Sequence, residues 1–148
     1  MSNPLDVAES FWNKVKELAK NGKIISIDKV KKEIYSNEDD LKKWCEANLP
    51  DNFFKDTTSI LTTYSQIVGW AVSKSAQYNQ QALNTFLDAD EADAWLVAYA
   101  LENNLKVVTN EVPAPFSKTS IKIPDVCLAF KVPYLNPMGM FREMGERY

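Results

Sequence analysis

Histidine is absent from all 148 residues. That excludes every mechanism resting on an imidazole base, the serine and cysteine triads included. It also disfavours zinc, whose sites draw on histidine or on several cysteines. The two cysteines, Cys45 and Cys127, lie far apart and form no CxxC spacing. Buried free thiols in a reducing cytoplasm are the expectation, which makes the protein cytoplasmic. Glycine occurs only at Gly22, Gly69, Gly139 and Gly145, so no GxGxxG or phosphate loop can be written. A Rossmann-type nucleotide binder is thereby disfavoured. No apolar run approaches the ~20 residues of a membrane span, and the first residues lack a signal-peptide core. A basic surplus is missing too. The net charge of −3 argues against a generic nucleic-acid coat protein, although a local basic groove around an acidic centre stays open.

What remains is an ordinary globular composition, 45% hydrophobic and 25% charged. The length suits one domain over residues 1–148 with a core that needs no disulfide or structural metal.

Val7, Phe11, Val15 and Leu18 fall at helical spacing, and Asn21-Gly22 makes a C-cap. Residues 23–27 read as a short strand, after which Asp28 is placed to cap a helix with Val30 and Ile34 on one face. A further helix passes through Leu41, Trp44 and Cys45 and ends near Pro50. Residues 57–76 form the longest helical stretch, with Ile60, Leu61, Tyr64, Ile67, Val68 and Ala71 as an apolar stripe, a pattern of cores rather than binding faces. A helix over 80–87 leads into Asp88, Asp90, Glu91 and Asp93, which enrich the start of the helix through Trp95 and Leu101. Asp88 or Asp90 is the expected N-cap, leaving Asp93 free for another task. A strand over 105–109, a proline-bearing loop over 112–120, a helix from Pro124 to Phe130, a strand over 132–135 and a last helix with Met138, Phe141 and Met144 complete the chain. Strands separated by helices imply parallel pairing with right-handed crossovers, an α/β class.

Two acids stand out. Asp93 lies in the first turns of one helix, and Glu111 follows the strand after it. If that strand packs beside the helix, both carboxylates converge at the strand's carboxyl end, where open α/β sheets bind ligands. Carboxylates without basic partners suggest a hard divalent cation. Acids at helix starts also serve the helix dipole, which is the plainer role. Glu33, one residue before Ile34, is by spacing a solvated flank residue.

Several stretches together carry a resemblance. They are Phe11-Trp12, then Ile25-Ser26-Ile27-Asp28-Lys29-Val30 running to Glu33-Ile34, and Asp93-Ala94-Trp95-Leu96-Val97-Ala98-Tyr99-Ala100. Val107-Val108-Thr109-Asn110-Glu111, Ile121-Lys122-Ile123-Pro124-Asp125-Val126-Cys127 and Phe141-Arg142-Glu143-Met144-Gly145 follow. The pattern resembles the PIN-domain superfamily, RNase H-like nucleases that include VapC-type bacterial toxins. It is most similar to a PIN-like bacterial family of unknown function. The resemblance implies a three-layer α/β fold, helix-rich, with a short parallel sheet flanked by helices. It also implies a metal-dependent ribonuclease, as the toxin of a toxin–antitoxin pair. Glu33, Asp93 and Glu111 match the acids that hold Mg²⁺ or Mn²⁺ and serve as catalytic residues. The implied partners are an RNA substrate, an antitoxin protein and a second copy in a homodimer, with no membrane.

One element of the family has no counterpart. PIN domains begin with a central strand that carries an Asp-Thr-Asn-like motif and a principal metal ligand, whereas here the residues leading into the first helix come first. Without that strand, metal affinity and catalysis are expected to be weakened. Strands 23–27 and 105–109 are left to pair directly, to recruit a strand from another molecule, or to belong to a shortened product of a longer gene.

In the enzyme reading a metal lowers the pKa of a bound water that attacks a phosphodiester. Two carboxylates ~4 Å apart repel by about 4 kcal/mol at an effective dielectric near 20, so without metal one acid takes a proton or the site loosens. Lys29, Lys32, Lys118 and Lys122 are the cations available to draw in an RNA backbone, although each is also an ordinary surface lysine. The alternative is a catalytically inactive PIN-like protein-interaction module.

Overall fold

The computed structural model describes residues 9–145. Helix α1 (Glu9–Lys20) closes as its sequence predicts. Gly22 takes a φ of 71°, and Lys23 N and Gly22 N donate back to Leu18 O and Ala19 O, a paired termination that a left-handed residue permits. Val7, assigned by its spacing to this helix, lies outside the described residues.

The expected strand over 23–27 contracts to β1 (Ser26–Ile27), which runs directly into α2 (Asp28–Tyr35). Asp28 does not cap that helix, as its position had suggested. Ile27 holds the N-cap place, and the Asp28 carboxylate instead accepts from Thr57 N at 3.1 Å and Thr57 Oγ1 at 2.8 Å. Thr57 is buried, so a partner distant in sequence is needed there more than a local cap. Helix α3 (Asp40–Asn48) is capped by Asp39 through Lys42 N.

A strand that the sequence pattern does not signal, β2 (Phe54–Lys55), pairs parallel with β1. It holds two residues and no alternation, too little for periodicity to register. The long helix expected over 57–76 divides into a 3₁₀ turn (Thr58–Ile60) and α4 (Leu61–Ser73). Then come α5 (Gln80–Leu87), α6 (Ala92–Asn103) and β3 (Val107–Val108). Helix α7 (Ile123–Phe130), β4 (Tyr134–Leu135) and α8 (Pro137–Glu143) close the described chain. Asn104, at φ 55°, terminates α6 in the left-handed conformation that asparagine tolerates.

The fold is α/β and helix-rich, with short parallel strands. Strands 23–27 and 105–109 do not pair with each other. Among the described residues, β1 pairs with β2, and β3 pairs with β4, giving two separate two-stranded ladders. Helix α6 touches both, being buried on nearly every side: Val97 and Ala98 are fully enclosed, as are Ile67 and Ala71 of α4 and Val126 and Cys127 of α7. Ile27 of β1 and Val107 of β3 belong to this larger core. On the other side, Leu18 of α1 with Met140 and Phe141 of α8 forms a smaller cluster that takes in Ile24 and Leu135. The chain at β1 and at β4 thus carries apolar side chains towards helices in both directions, Ile27 and Tyr134 to the larger core and Ile24 and Leu135 to the smaller.

Candidate acidic centre

The centre is built where three helices begin or end near the carboxyl ends of β1 and β3. Glu91 holds the N-cap place of α6, but no side chain of its own neighbourhood caps the helix, neither Asp88 nor Asp90 as expected. Asp88 accepts from Asp90 N, and Asp90 pairs with Lys32 at 2.8 Å. The cap comes from α2: Ala92 N donates to Glu33 Oε1 at 2.9 Å. A carboxylate there satisfies an orphan amide and meets the positive end of the helix.

The start of α7 repeats the device. Its N-cap residue, Lys122, offers no capping side chain, and Pro124 removes one amide. Ile123 N donates to Glu111 Oε1 at 2.8 Å. Inside the first turn, the buried Asp125 accepts from Ala114 N at 2.9 Å and pins the loop after β3. The same loop is held by Gln77, whose amide donates to Pro115 O and Ser117 O.

Asp93, in the first turn of α6, lies within electrostatic reach of both glutamates. Burial raises its pKa to about 6, and Glu111, Glu91 and Glu33 add to the rise while Lys122 opposes it. The carboxyl of Asp93 therefore feels both other sequence-derived acids, although they come from positions 60 residues before it and 18 after it. Glu91 joins them. Its own pKa is raised by burial and then by Glu33 and Asp88. The sequence shows Glu91 only as one of four acids ahead of α6, and nothing in its spacing separates it from Asp88 or Asp90.

This convergence falls short of a ready cation cage. Among the described residues, no three acidic or cysteine side chains come close enough together to hold a metal ion. Glu33 and Glu111 each direct one oxygen at a helix amide instead.

Around the acids, Trp95 stacks on Tyr64 with ring centroids 3.7 Å apart, and the Lys29 ammonium lies 4.6 Å above the Trp95 ring. The Trp95 indole donates to Ala89 O, fixing the turn ahead of α6. Of the four lysines expected to serve an RNA backbone, Lys32 is committed to Asp90, Lys29 lies on Trp95 and the charge of Lys122 partly offsets the rise at Asp93. The Lys118 backbone carbonyl accepts from Asn79 N at the start of α5. No helix among the described residues is long and apolar enough to cross a membrane.

The model of the family described as a domain of unknown function (DUF4411) matches residues 2–148, and the chain belongs to that family. Neither the curated proteins nor the solved structures contain a match to it.

Proposed function

We propose that this chain is a PIN-like ribonuclease dependent on Mg²⁺ or Mn²⁺, acting as the toxin of a bacterial toxin–antitoxin pair. RNA is the proposed substrate, and Glu33, Asp93 and Glu111 are the proposed metal-binding and catalytic acids. The reading is supported above all by Asp93, whose carboxyl is pushed up to about 6 by burial and by Glu111, Glu91 and Glu33. A carboxyl in that setting gains either from a proton or from a cation, and at neutral pH the cation is the more available relief. When bound, the ion would supply charge neutralisation and an activated water.

The donor set as arranged does not fit a resident ion, because both glutamates point an oxygen at a helix amide. Activity in this chain is accordingly low unless Glu33 and Glu111 turn their second oxygens towards Asp93. What the chain's own residues supply is position: α2 carries Glu33 to the start of α6, and the segment after β3 carries Glu111 to the start of α7.

The two caps also favour a second reading, an inactive PIN-like interaction module that pairs with an antitoxin or a second copy. Both glutamates are then explained by helix stability alone. A thermal scan at pH 7.5 with millimolar Mn²⁺, run beside an RNA-cleavage assay, separates the two. The ribonuclease reading expects a rise in Tm that Asp93→Asn abolishes, with metal-dependent cleavage. No rise and intact RNA would leave the interaction module.

A further inference from the structure

Phe116 is 91% exposed, the most open large apolar side chain among the described residues, and it makes no ring contact there. The backbone that carries it is nevertheless fixed. The Gln77 amide donates to Pro115 O at 2.7 Å and to Ser117 O at 2.9 Å, one bond on each side of Phe116. Ser117 N turns back to Ala114 O, the buried Asp125 holds Ala114 N, and Asn79 N holds Lys118 O. Glu111 Oε1 closes the loop at its base by accepting from Ile123 N at 2.8 Å. Pro113 and Pro115 stiffen the chain between. A ring presented this rigidly avoids the ordering cost that a flexible binding loop carries.

The charge around the ring is of one sign. Between Glu111 and Asp125 the chain has no acid and two lysines, Lys118 and Lys122. Neither lysine makes an ion pair among the described residues, and both flanking carboxylates are turned to backbone amides. Phe116 follows Glu111 by five residues, so their Cα atoms lie within about 18 Å of each other.

We propose that Phe116 is a stacking platform for one unpaired base of a single-stranded RNA whose phosphates pass Lys118 and Lys122 on the way to the acidic centre. A base inside a duplex already has neighbours on both faces, so the ring selects unpaired nucleotides. It takes any of the four bases, since each has a π face to offer. An exposed phenylalanine could also serve a protein contact. Two unpaired lysines argue against that, because an apolar contact would have to desolvate them whereas a phosphate chain neutralises them. The choice of ligand rests on the ribonuclease reading, but the contact is one of binding and is tested without metal or cleavage.

The test follows a labelled uridine octamer by fluorescence anisotropy, in EDTA and at about 50 mM salt. Phe116→Ala should weaken binding about tenfold and leave Tm unchanged. Phe116→Leu keeps an apolar side chain without a π face and should bind nearly as poorly. Phe116→Trp should bind at least as tightly as the parent. The same octamer paired in a duplex should not distinguish the parent from Phe116→Ala. No octamer binding by the parent, equal affinity in parent and Phe116→Ala, or full rescue by Phe116→Leu would overturn the platform. Parent dimers in sedimentation that Phe116→Ala dissolves, with octamer affinity unchanged, would overturn it in favour of a protein contact. A tenfold loss in Phe116→Ala without any Mn²⁺-dependent cleavage by the parent would uphold the platform and sink the ribonuclease reading.

Discussion

Glu33 and Ala92, 59 residues apart in sequence, are joined by one 2.9 Å hydrogen bond from the Ala92 amide to the Glu33 carboxylate. Through it, α2 caps α6, a helix buried against both ladders, and an acid whose spacing marks it as a solvent-facing flank residue becomes part of the acidic centre. The bond gives Glu33 a structural role whether or not any cation arrives. Function and stability therefore have to be separated by choice of substitution.

Glu33→Ala removes the cap and a charge-assisted bond, and is expected to cost about 1–2 kcal/mol in urea unfolding. Glu33→Gln keeps an acceptor for Ala92 N and should lose less than half of that. Equal losses for the two would show that charge at the helix start, and not the hydrogen bond, is what matters.

Glu111 makes the matching bond to Ile123 N. Glu111→Ala should destabilise α7 by about 1–2 kcal/mol, read as faster hydrogen exchange in its first turn. Both Glu111→Ala and Glu33→Ala should also lower the pKa of Asp93, because each removes a like charge that helps to raise it. Titration of Asp93 by carbonyl-carbon NMR measures this directly.

Asp93 gives stability a distinct pH dependence. Its folded pKa, about 6, exceeds the ordinary 3.8, so between those values the folded chain binds more protons than the unfolded one. The stability this group contributes is full below the lower value and is lost as pH rises through the upper one. Asp93→Asn should be more stable than the parent at pH 7.5 by about 1–2 kcal/mol after allowance for partial solvent screening. The two should converge near pH 4. A gap that does not change across pH 4–7.5 would contradict the burial and repulsion assigned to Asp93.

Asp28 and Thr57 tie the start of α2 to the residue after β2 through two bonds. Asp28→Ala strands a buried hydroxyl and should cost roughly 2–3 kcal/mol. In Asp28→Ala/Thr57→Val the loss should be smaller than the sum of the single changes, a coupling that denaturant midpoints can resolve.

Neither thiol should react quickly in the folded protein. Burial pushes the Cys127 thiol up to about 12 and raises Cys45 as well, and thiolate is the reactive form. At pH 8 a disulfide reagent should label both only as fast as the chain opens, and labelling should speed up in denaturant.

The legible parts of the fold are those with local causes. The helix stops at Gly22 and Asn104, the apolar stripe through Ile67 and Ala71, and the buried strand residues Ile27 and Val107 follow from periodicity and turn chemistry. Asp93 and Glu111 could be picked out because their acids flank a helix and a strand that must pack together. Not legible was the capping of α6 by Glu33 instead of Asp88 or Asp90, or of α7 by Glu111. A cap supplied from a distant element leaves no mark at fixed spacing.

Sequence by itself determined the helix-rich α/β class, the parallel sense of the strands and a chemistry without imidazole. Those depend on residue types and periods that any conformation of the chain carries. Tertiary structure decided which strands pair, leaving β1 and β3 apart across a cleft, and whether the acids meet as ligands or serve as caps. Strand partners and carboxylate partners are chosen by competition among backbone groups that only come within reach once the helices have packed.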